Sequence, residues 1–552
     1  MSSEKHTNLG THKWAGSDGL FRTEFNDNFG KLDEFAGGLT KKTNGFINVA
    51  EYAVVGSSDD YTALQAAFDA AQGKVLVLEK GKVYRIPNEK TLTIKSDITV
   101  IANGAKFQKL TAGTNYVISI TGSNVNIDYL GYVPFGSASE TGVKITGSNV
   151  TIGTFESTTD FLGCGGDSTS RNALLVDGLA SQVRNIRIGK IITKNWDRVI
   201  QVRNAKGVFF DNLDIDTFKQ AVYLRDVRNS KFPSAHLRGL SVNSNGSPGE
   251  NGLLIESVDT DYGSRFIKIG EWVVEDTGEH GFRIGGQKIV ADVTFDTCTS
   301  RKPGRGTVGN GTTEAGIGHG GCGFKVLGPT TSASRHRNIR FINCTAEDGR
   351  SDVPSSRVNF AGFNIGKCIN VTVENPIVRT NGASVTDRSF VNGIEIIGSE
   401  DVTISNPNIG YTTYNGIHFY DADTSTGDFG ALLSRVNING GVILGPVNAG
   451  VYIAANNYTF RRIAINGTML DTGAALYALQ AVKTGAGAFS GCSVNAYVNP
   501  TTTVTTMDGM DDWLASMTGY FTATPNNAAN GSTFRDTVGN FRIRKAGAWV
   551  TM

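Results

Sequence analysis

The chain has 552 residues, and its 52 Lys and Arg nearly cancel its 51 Asp and Glu, leaving a formal net charge of +1. That balance excludes an electrostatic case for wrapping nucleic acid or coating an acidic membrane. The length excludes one compact core unless the chain is elongated or repetitive.

Taken from the start, "MSSEKHTNLG" has no apolar run, and no later stretch approaches the ~18 apolar residues of a membrane span. Synthesis in the cytoplasm without a signal peptide is therefore the expectation, with no membrane insertion. The six cysteines (Cys164, Cys298, Cys322, Cys344, Cys368, Cys492) form no CxxC pair, which argues against a disulfide framework or a zinc site. In "HKWAGSDGLFRTEFNDNFGKLDEF" (12–35), Phe21, Phe25, Phe29 and Leu32 fall at helical spacing. Residues 1–45 are read as an N-terminal arm carrying that amphipathic helix.

Residues 46–90 hold a second helix signal. In "DDYTALQAAFDAAQGK" (59–74), Asp59 or Asp60 suits an N-cap, and Leu64, Ala67, Phe68 and Ala71 share one face. "VLVLEKGKVYRI" (75–86) then reads as the first strands. Such a helix would cover an open sheet edge that otherwise invites aggregation.

From 91 to 500 the chain repeats itself. "ITGSNV" stands at 120–125 and again at 145–150. An apolar triplet starting at Ile200 recurs at Val222, Leu253, Phe282, Phe324, Phe363, Ile394, Ile417 and Val451, usually after a glycine. The shortest steps, Ile200 to Val222 and Ile394 to Ile417, are 22 and 23 residues. Longer steps insert loops. A second alternating pair follows in most repeats, among them Ile186/Ile188, Val293/Phe295, Ile339/Phe341, Val371/Val373 and Val402/Ile404. Asn185, Asp292, Asn338, Asn370 and Asp401 open that strand, residues that tolerate left-handed backbone. Period-2 alternation turns the apolar residues inward. The pattern predicts an all-β, right-handed, single-stranded parallel β-helix with a helical N-terminal cap. Residues 501–552 read as a small β-rich C-terminal module.

Three segments carry a resemblance. "VVGSSDDYTALQAAFDAAQ" with "EKGKVYRI" resembles the opening of the pectate-lyase-like superfamily found in phage tailspikes, although its Gly-Asp-Gly is missing here. "RTEFNDNF" is similar to the N-terminal arm of tail appendages from phages of Gram-positive hosts. "GSTFRDTVGNFRIRKAGAWVTM" (531–552) is similar to the short β-rich tip of phage tail proteins. The resemblance implies a homotrimeric tailspike in the virion, attached to the phage tail or baseplate by its N-terminal arm. It would bind and cleave a bacterial surface polysaccharide.

The candidate site follows from the outward positions. The residue between the inward pair of each triplet runs Gln201, Tyr223, Leu254, Arg283, Lys325, Asn364, Glu395, His418, Tyr452. The turns before it supply Glu275, Asp276 and Glu279, and then Glu347 and Asp348, two repeats on. Strand stacking puts two steps at about 9.6 Å, near the roughly 6.5–9.5 Å of an inverting glycosidase pair. Those five carboxylates are the candidate catalytic groups. His280, Arg283, Arg301, His319, Lys325, Glu395, His418, Tyr414 and Trp196 are the candidate substrate-binding residues. Acids, bases and the longest insertions peak together between 275 and 420. Glycoside hydrolysis is favoured over elimination. A non-catalytic receptor-binding spike and a teichoic-acid phosphodiesterase stay open, as does a site within or between subunits. No cofactor is expected; calcium held by paired carboxylates is the one ion left open.

Overall fold

The computed structural model describes residues 2–5, 12–14, 45–52, 59–166, 170–239, 250–259, 263–304, 320–329, 335–349, 360–380, 390–420, 433–455, 459–471, 477–483 and 487–498, and C-terminal strands between 506 and 551. The helix expected around Phe21–Leu32 lies outside them. Near the N-terminus, Ser2–Lys5 and His12–Trp14 pair antiparallel.

The chain forms a right-handed parallel β-helix in which each coil contributes strands to three faces. On the first face, Ile200, Val222, Leu253, Phe282, Phe324, Phe363, Ile394, Ile417 and Val451 lie one above another in parallel register, as the repeat spacing predicts. Ile267, Val293, Ile339, Val371, Val402, Val436 and Ile463 do the same on the second face. The two "ITGSNV" segments are adjacent coils, with Ile120 beside Ile145 and Val125 beside Val150. The third face stacks Ile215, Leu237, Val274, Ser300, Ala346, Val378, Ile409 and Ile443.

The corner before the second face bends through left-handed residues. Asn185, Asp292, Asn338, Asn370 and Asp401 have φ of 56°, 55°, 57°, 55° and 54°. The asparagine amides among them bond along the rod: Asn338 Nδ2 donates to Asp292 Oδ1 at 2.8 Å, and Asn370 Nδ2 to Asn338 Oδ1 at 2.8 Å. Asn supplies both the conformation and the bond, which explains its recurrence there.

The glycines before the first-face strands answer to packing instead. A Cβ on Gly393 would sit 2.4 Å from Ile409 Cγ2, and one on Gly416 would sit 2.3 Å from Ile443 Cγ2. Those partners are third-face core residues, so the corner closes only where the side chain is absent. Inside, Phe282, Phe324 and Phe363 stack at 4.8 and 4.7 Å, and Phe295 stacks on Phe341 at 5.0 Å. This aromatic pile underlies the coils that carry the polar outward residues.

The helix Tyr61–Ala70 buries Leu64, Ala67 and Phe68 against the first coils. Asp60 is the N-cap residue but makes no side-chain capping bond; Asp59, just before it, accepts the Tyr61 amide through Oδ1 at 2.9 Å. Asp60 instead ties the helix to the rod: its amide donates to Arg85 O at 2.9 Å, and its Oδ2 accepts the Arg85 amide at 2.8 Å. At the other end, Leu514–Phe521 continues the parallel stack, while Thr533–Asp536, Phe541–Lys545 and Ala548–Thr551 pair antiparallel.

Candidate functional site

The outward residues of the first face form one continuous column: Gln201, Tyr223, Leu254, Arg283, Lys325, Asn364, Glu395, His418 and Tyr452 occupy successive coils. Yet outward does not mean solvated. Asn364 and Glu395 are 0% exposed, Gln201 4% and Lys325 7%. Polar groups carried on the outside of the sheet are thus held out of water.

Glu395 is well satisfied there. Asn364 Nδ2 donates to its Oε2 at 2.5 Å and Asn392 Nδ2 to its Oε1 at 2.8 Å. Glu279 accepts from Asn251 Nδ2 at 3.2 Å and lies 3.5 Å from Arg283 Nη1. Lys325, between them, makes no ion pair or hydrogen bond among the described residues. Burial pulls its pKa below the ordinary lysine value and Arg283 adds to that, against the raising pull of Cys322, Glu279 and Glu395. His418 stacks on Tyr420 at 4.7 Å and lies tilted against Tyr452 at 5.2 Å. Burial lowers its pKa to about 4.

Among the described residues, several buried polar atoms on this face have no hydrogen-bond partner: Gln220 Oε1, Asn251 Oδ1, Arg283 Nε, Asn364 Oδ1, Asn415 Nδ2 and His418 Nδ1. An unmet buried polar atom costs about 1–3 kcal/mol. Other such atoms lie elsewhere in the rod, among them Glu140 Oε2, Thr193 Oγ1 and His336 Nε2.

The other candidate acids stand on the third face, in a different arrangement. Lys194, Asp216, Arg238, Glu275, Arg301, Glu347 and Arg379 occupy successive coils, alternating in sign throughout. Arg301 bonds both Glu275 and Glu347, the latter at 2.9 Å from Nε. Arg379 Nε donates to Glu347 at 2.9 Å, and Arg238 lies 3.4 Å from Asp216. Burial would raise the Glu347 pKa, but Arg379 and Arg301 outweigh it and hold the carboxyl below the usual range. Glu275 and Glu347 are two coils apart, as their spacing suggests, with Arg301 filling the gap.

Asp276, Lys302 and Asp348 follow that ladder at the next corner, with φ of 53°, 50° and 51°. Their amides bond coil to coil, Asp276 to Arg301 O at 3.0 Å and Lys302 to Glu347 O at 2.9 Å. Asp348 is 3% exposed. His280 is buried, its Nδ1 accepting the Cys322 amide at 3.0 Å. Tyr414 packs half-buried on Phe360 and Val391. Trp196 lies in the core, 0% exposed, its Nε1 donating to Ser157 Oγ at 3.1 Å, so neither ring face is open to a sugar. His319 lies outside the described residues.

No protein-family model and no curated protein matches the chain. Solved structures to which it is similar include the A-module of the mannuronan C-5 epimerase AlgE6 of Azotobacter vinelandii, at 16% identity over 87% of this chain and 100% of that one, with a TM-score of 0.35. The N-terminal fragment of bacteriophage phi29 gene product 12 gives 12% identity, coverage of 91% and 95%, and a TM-score of 0.45. Tailspike protein 3 of bacteriophage CBA120 gives 11%, 93% and 70%, and 0.32.

Two features of the site escape sequence reading. Asn392 and Asn415 precede the glycines of their coils and connect to Glu395 by hydrogen bonds, Asn415 N donating to Asn392 Oδ1 at 3.2 Å. Their common position before Gly393 and Gly416 was the available signal. The third-face ladder had none, because each coil gives that face a single small or apolar inward residue. Among the described residues, no three His, Cys, Asp or Glu side chains gather as a metal site would need.

Proposed function

We propose that this chain is a tailspike-like β-helix protein that binds a bacterial surface polysaccharide along its first face and cleaves it there. The observation that carries the reading is the row of hydrogen-bonding side chains, Arg283, Lys325, Asn364, Glu395 and His418, on successive coils of the outside of one sheet. A glycan supplies a hydroxyl every few ångströms, matching a column whose rungs repeat at about 4.8 Å. Tailspike neighbours in structure agree with the reading without carrying it.

Glu279, Arg283, Lys325 and Glu395 are the groups we assign to chemistry. In hydrolysis, one carboxylate protonates the leaving oxygen and the other serves the attacking water, while Arg283 and Lys325 stabilise negative charge. Elimination is the second reading, favoured by Lys325, which has no ion pair among the described residues and whose pKa is lowered by burial. Its amine would take the proton beside a uronate carboxylate, the electron pair would form the C4–C5 double bond, and the C4–O bond would break with proton return to the leaving oxygen. We assign Glu275 and Glu347 to holding coils together rather than to cutting.

The test is product analysis with glycans extracted from candidate host cells, following reducing ends together with unsaturated-uronate absorbance. Reducing ends alone are expected for hydrolysis, and both signals for elimination. Lys325→Met or Glu395→Gln should lower turnover by about 100-fold or more, within the range of lost acid–base groups. Glu347→Gln should leave turnover within about tenfold of the parent. Tight glycan binding with neither product would reduce the protein to an adhesin.

A further inference from the structure

The second face carries a hollow remote from the first-face column. Arg187, Phe209 and Lys231 occupy successive coils as outward residues, with Asp211 and Pro233 two positions further along their strands. These five side chains surround a cavity of about 310 Å³. Gly189 precedes Asp211 in its row and Gly270 follows Pro233, so no side chain closes either flank. Space for one there is absent: a Cβ on Gly189 would meet Gly153 O at 2.6 Å, and one on Gly270 would meet Pro233 O at 2.3 Å.

The lining has a definite chemistry. Phe209 leaves 39% of its surface open, an aromatic face in a row of charged residues. Arg187 bonds Asp211 through Nε at 3.2 Å and Nη2 at 2.9 Å, both to Oδ2. Among the described residues, Asp211 Oδ1 has no partner, and Lys231 has no ion pair. Lys268, the next outward residue, is already held by Asp296 at 3.3 Å. The hollow therefore offers an apolar plate, a fixed donor–acceptor pair and one unneutralised ammonium within a volume typical of small-ligand sites, about 300–1,000 Å³.

We propose that this hollow is a second, non-catalytic carbohydrate site that takes a sugar ring bearing an anionic substituent. The C–H face of the ring lies on Phe209, as aromatic rings pack on flat apolar groups. Adjacent hydroxyls meet Asp211 Oδ1 and Arg187, and Lys231 meets a carboxylate, phosphate or sulfate. A site on a different face from the cleavage column would hold the polymer while the column works on another stretch of it, gaining by effective concentration.

The test uses the intact chain on an array of bacterial surface oligosaccharides, anionic and neutral, with wild type, Phe209→Ala, Lys231→Ala and Lys325→Met compared. Both second-face substitutions are exposed and should leave the melting temperature unchanged. Retention of anionic glycans should fall at least tenfold in F209A and K231A, while K325M still holds them. Carboxyl-reduced or dephosphorylated forms of the retained glycans should bind wild type as poorly as anionic forms bind K231A. Unchanged retention in F209A overturns the proposal, as does a wild type that retains no anionic glycan. A change of sedimenting mass in F209A would make the hollow a contact between copies of this chain, and the proposal would fall. Cleavage assays on the same variants report separately on the first face, so the two readings fail independently.

Discussion

His336 is 0% exposed and its Nδ1 accepts the Val290 amide at 3.1 Å, so it must stay neutral. Burial takes its pKa down to about 3. In the unfolded chain the ring protonates near its ordinary value of about 6.5. Between those values the unfolded state binds more protons, so stability is complete above pH 6.5 and drains away as pH falls toward 3. Denaturation midpoints should accordingly be lower at pH 5 than at pH 7. His336→Asn keeps an acceptor for Val290 and removes the titration. It should lower the midpoint at pH 7 yet flatten the dependence between pH 7 and 5; an equally steep dependence would move the effect to other groups. Glu347 has the opposite chemistry and the same direction: its pKa lies below the usual carboxylate range, so its contribution is present above pH ~4.5 and lost in acid. Replacing it with Ala takes the carboxylate from Arg379 and leaves Arg301 with Glu275 alone; both arginines are partly exposed, so the change should cost about 2 kcal/mol, less than the roughly 3–5 kcal/mol of a fully buried pair.

At the scale of the strand and its corner, conformation and hydrogen bonding coincide. Asn370 holds φ at 55° and donates to Asn338. Asn370→Ala should lose about 2 kcal/mol, the sum of left-handed strain and a hydrogen bond. Asn370→Gly should lose about half of that, because glycine relieves the strain alone. Equal midpoints for the two variants in chemical denaturation would show that the strain is absent. Gly393→Ala tests a different cause, the 2.4 Å approach to Ile409; overpacking of that kind costs about 1–3 kcal/mol.

Two faces were legible from sequence because each coil shows them as an apolar–polar–apolar triplet, so Ile200 through Val451 could be aligned without a structure. The third face was not, since Ser300 and Ala346 carry no hydrophobic period. Without that face, Glu275 and Glu347 read as a free acid pair, and the arginines on either side of Glu347 had no visible relation to it. The outward column of the first face was readable as a list of residues, whereas its burial was not. Period-2 alternation says which way a side chain points and nothing about what lies over it. Trp196 shows the same gap from the other side: a turn residue by position, a core residue by packing.

In the whole molecule, each coil touches chiefly its neighbours, so stability is a sum of local terms and the ends are where order is lost first. The helix Tyr61–Ala70 closes one end, and Asp60 is its fastening to Arg85. Asp60→Ala should leave the distant coils intact while exposing the first strand edge. The expected result is faster hydrogen exchange confined to the first coils and a rise in self-association, read by light scattering. Uniformly faster exchange along the rod would show instead that the coils unfold as one body.

The sign-alternating column from Lys194 to Arg379 imposes a parity on the solenoid. Remove the single coil that carries Glu275, and Arg238 comes to rest on Arg301; remove that coil together with the next, and Arg238 meets Glu347, with the order of charges restored. Hydrophobic packing alone would tolerate either deletion. Within that column, then, losing or gaining one coil sets like charges against each other, whereas a change of two coils does not; coils beyond Arg379 are under no such constraint.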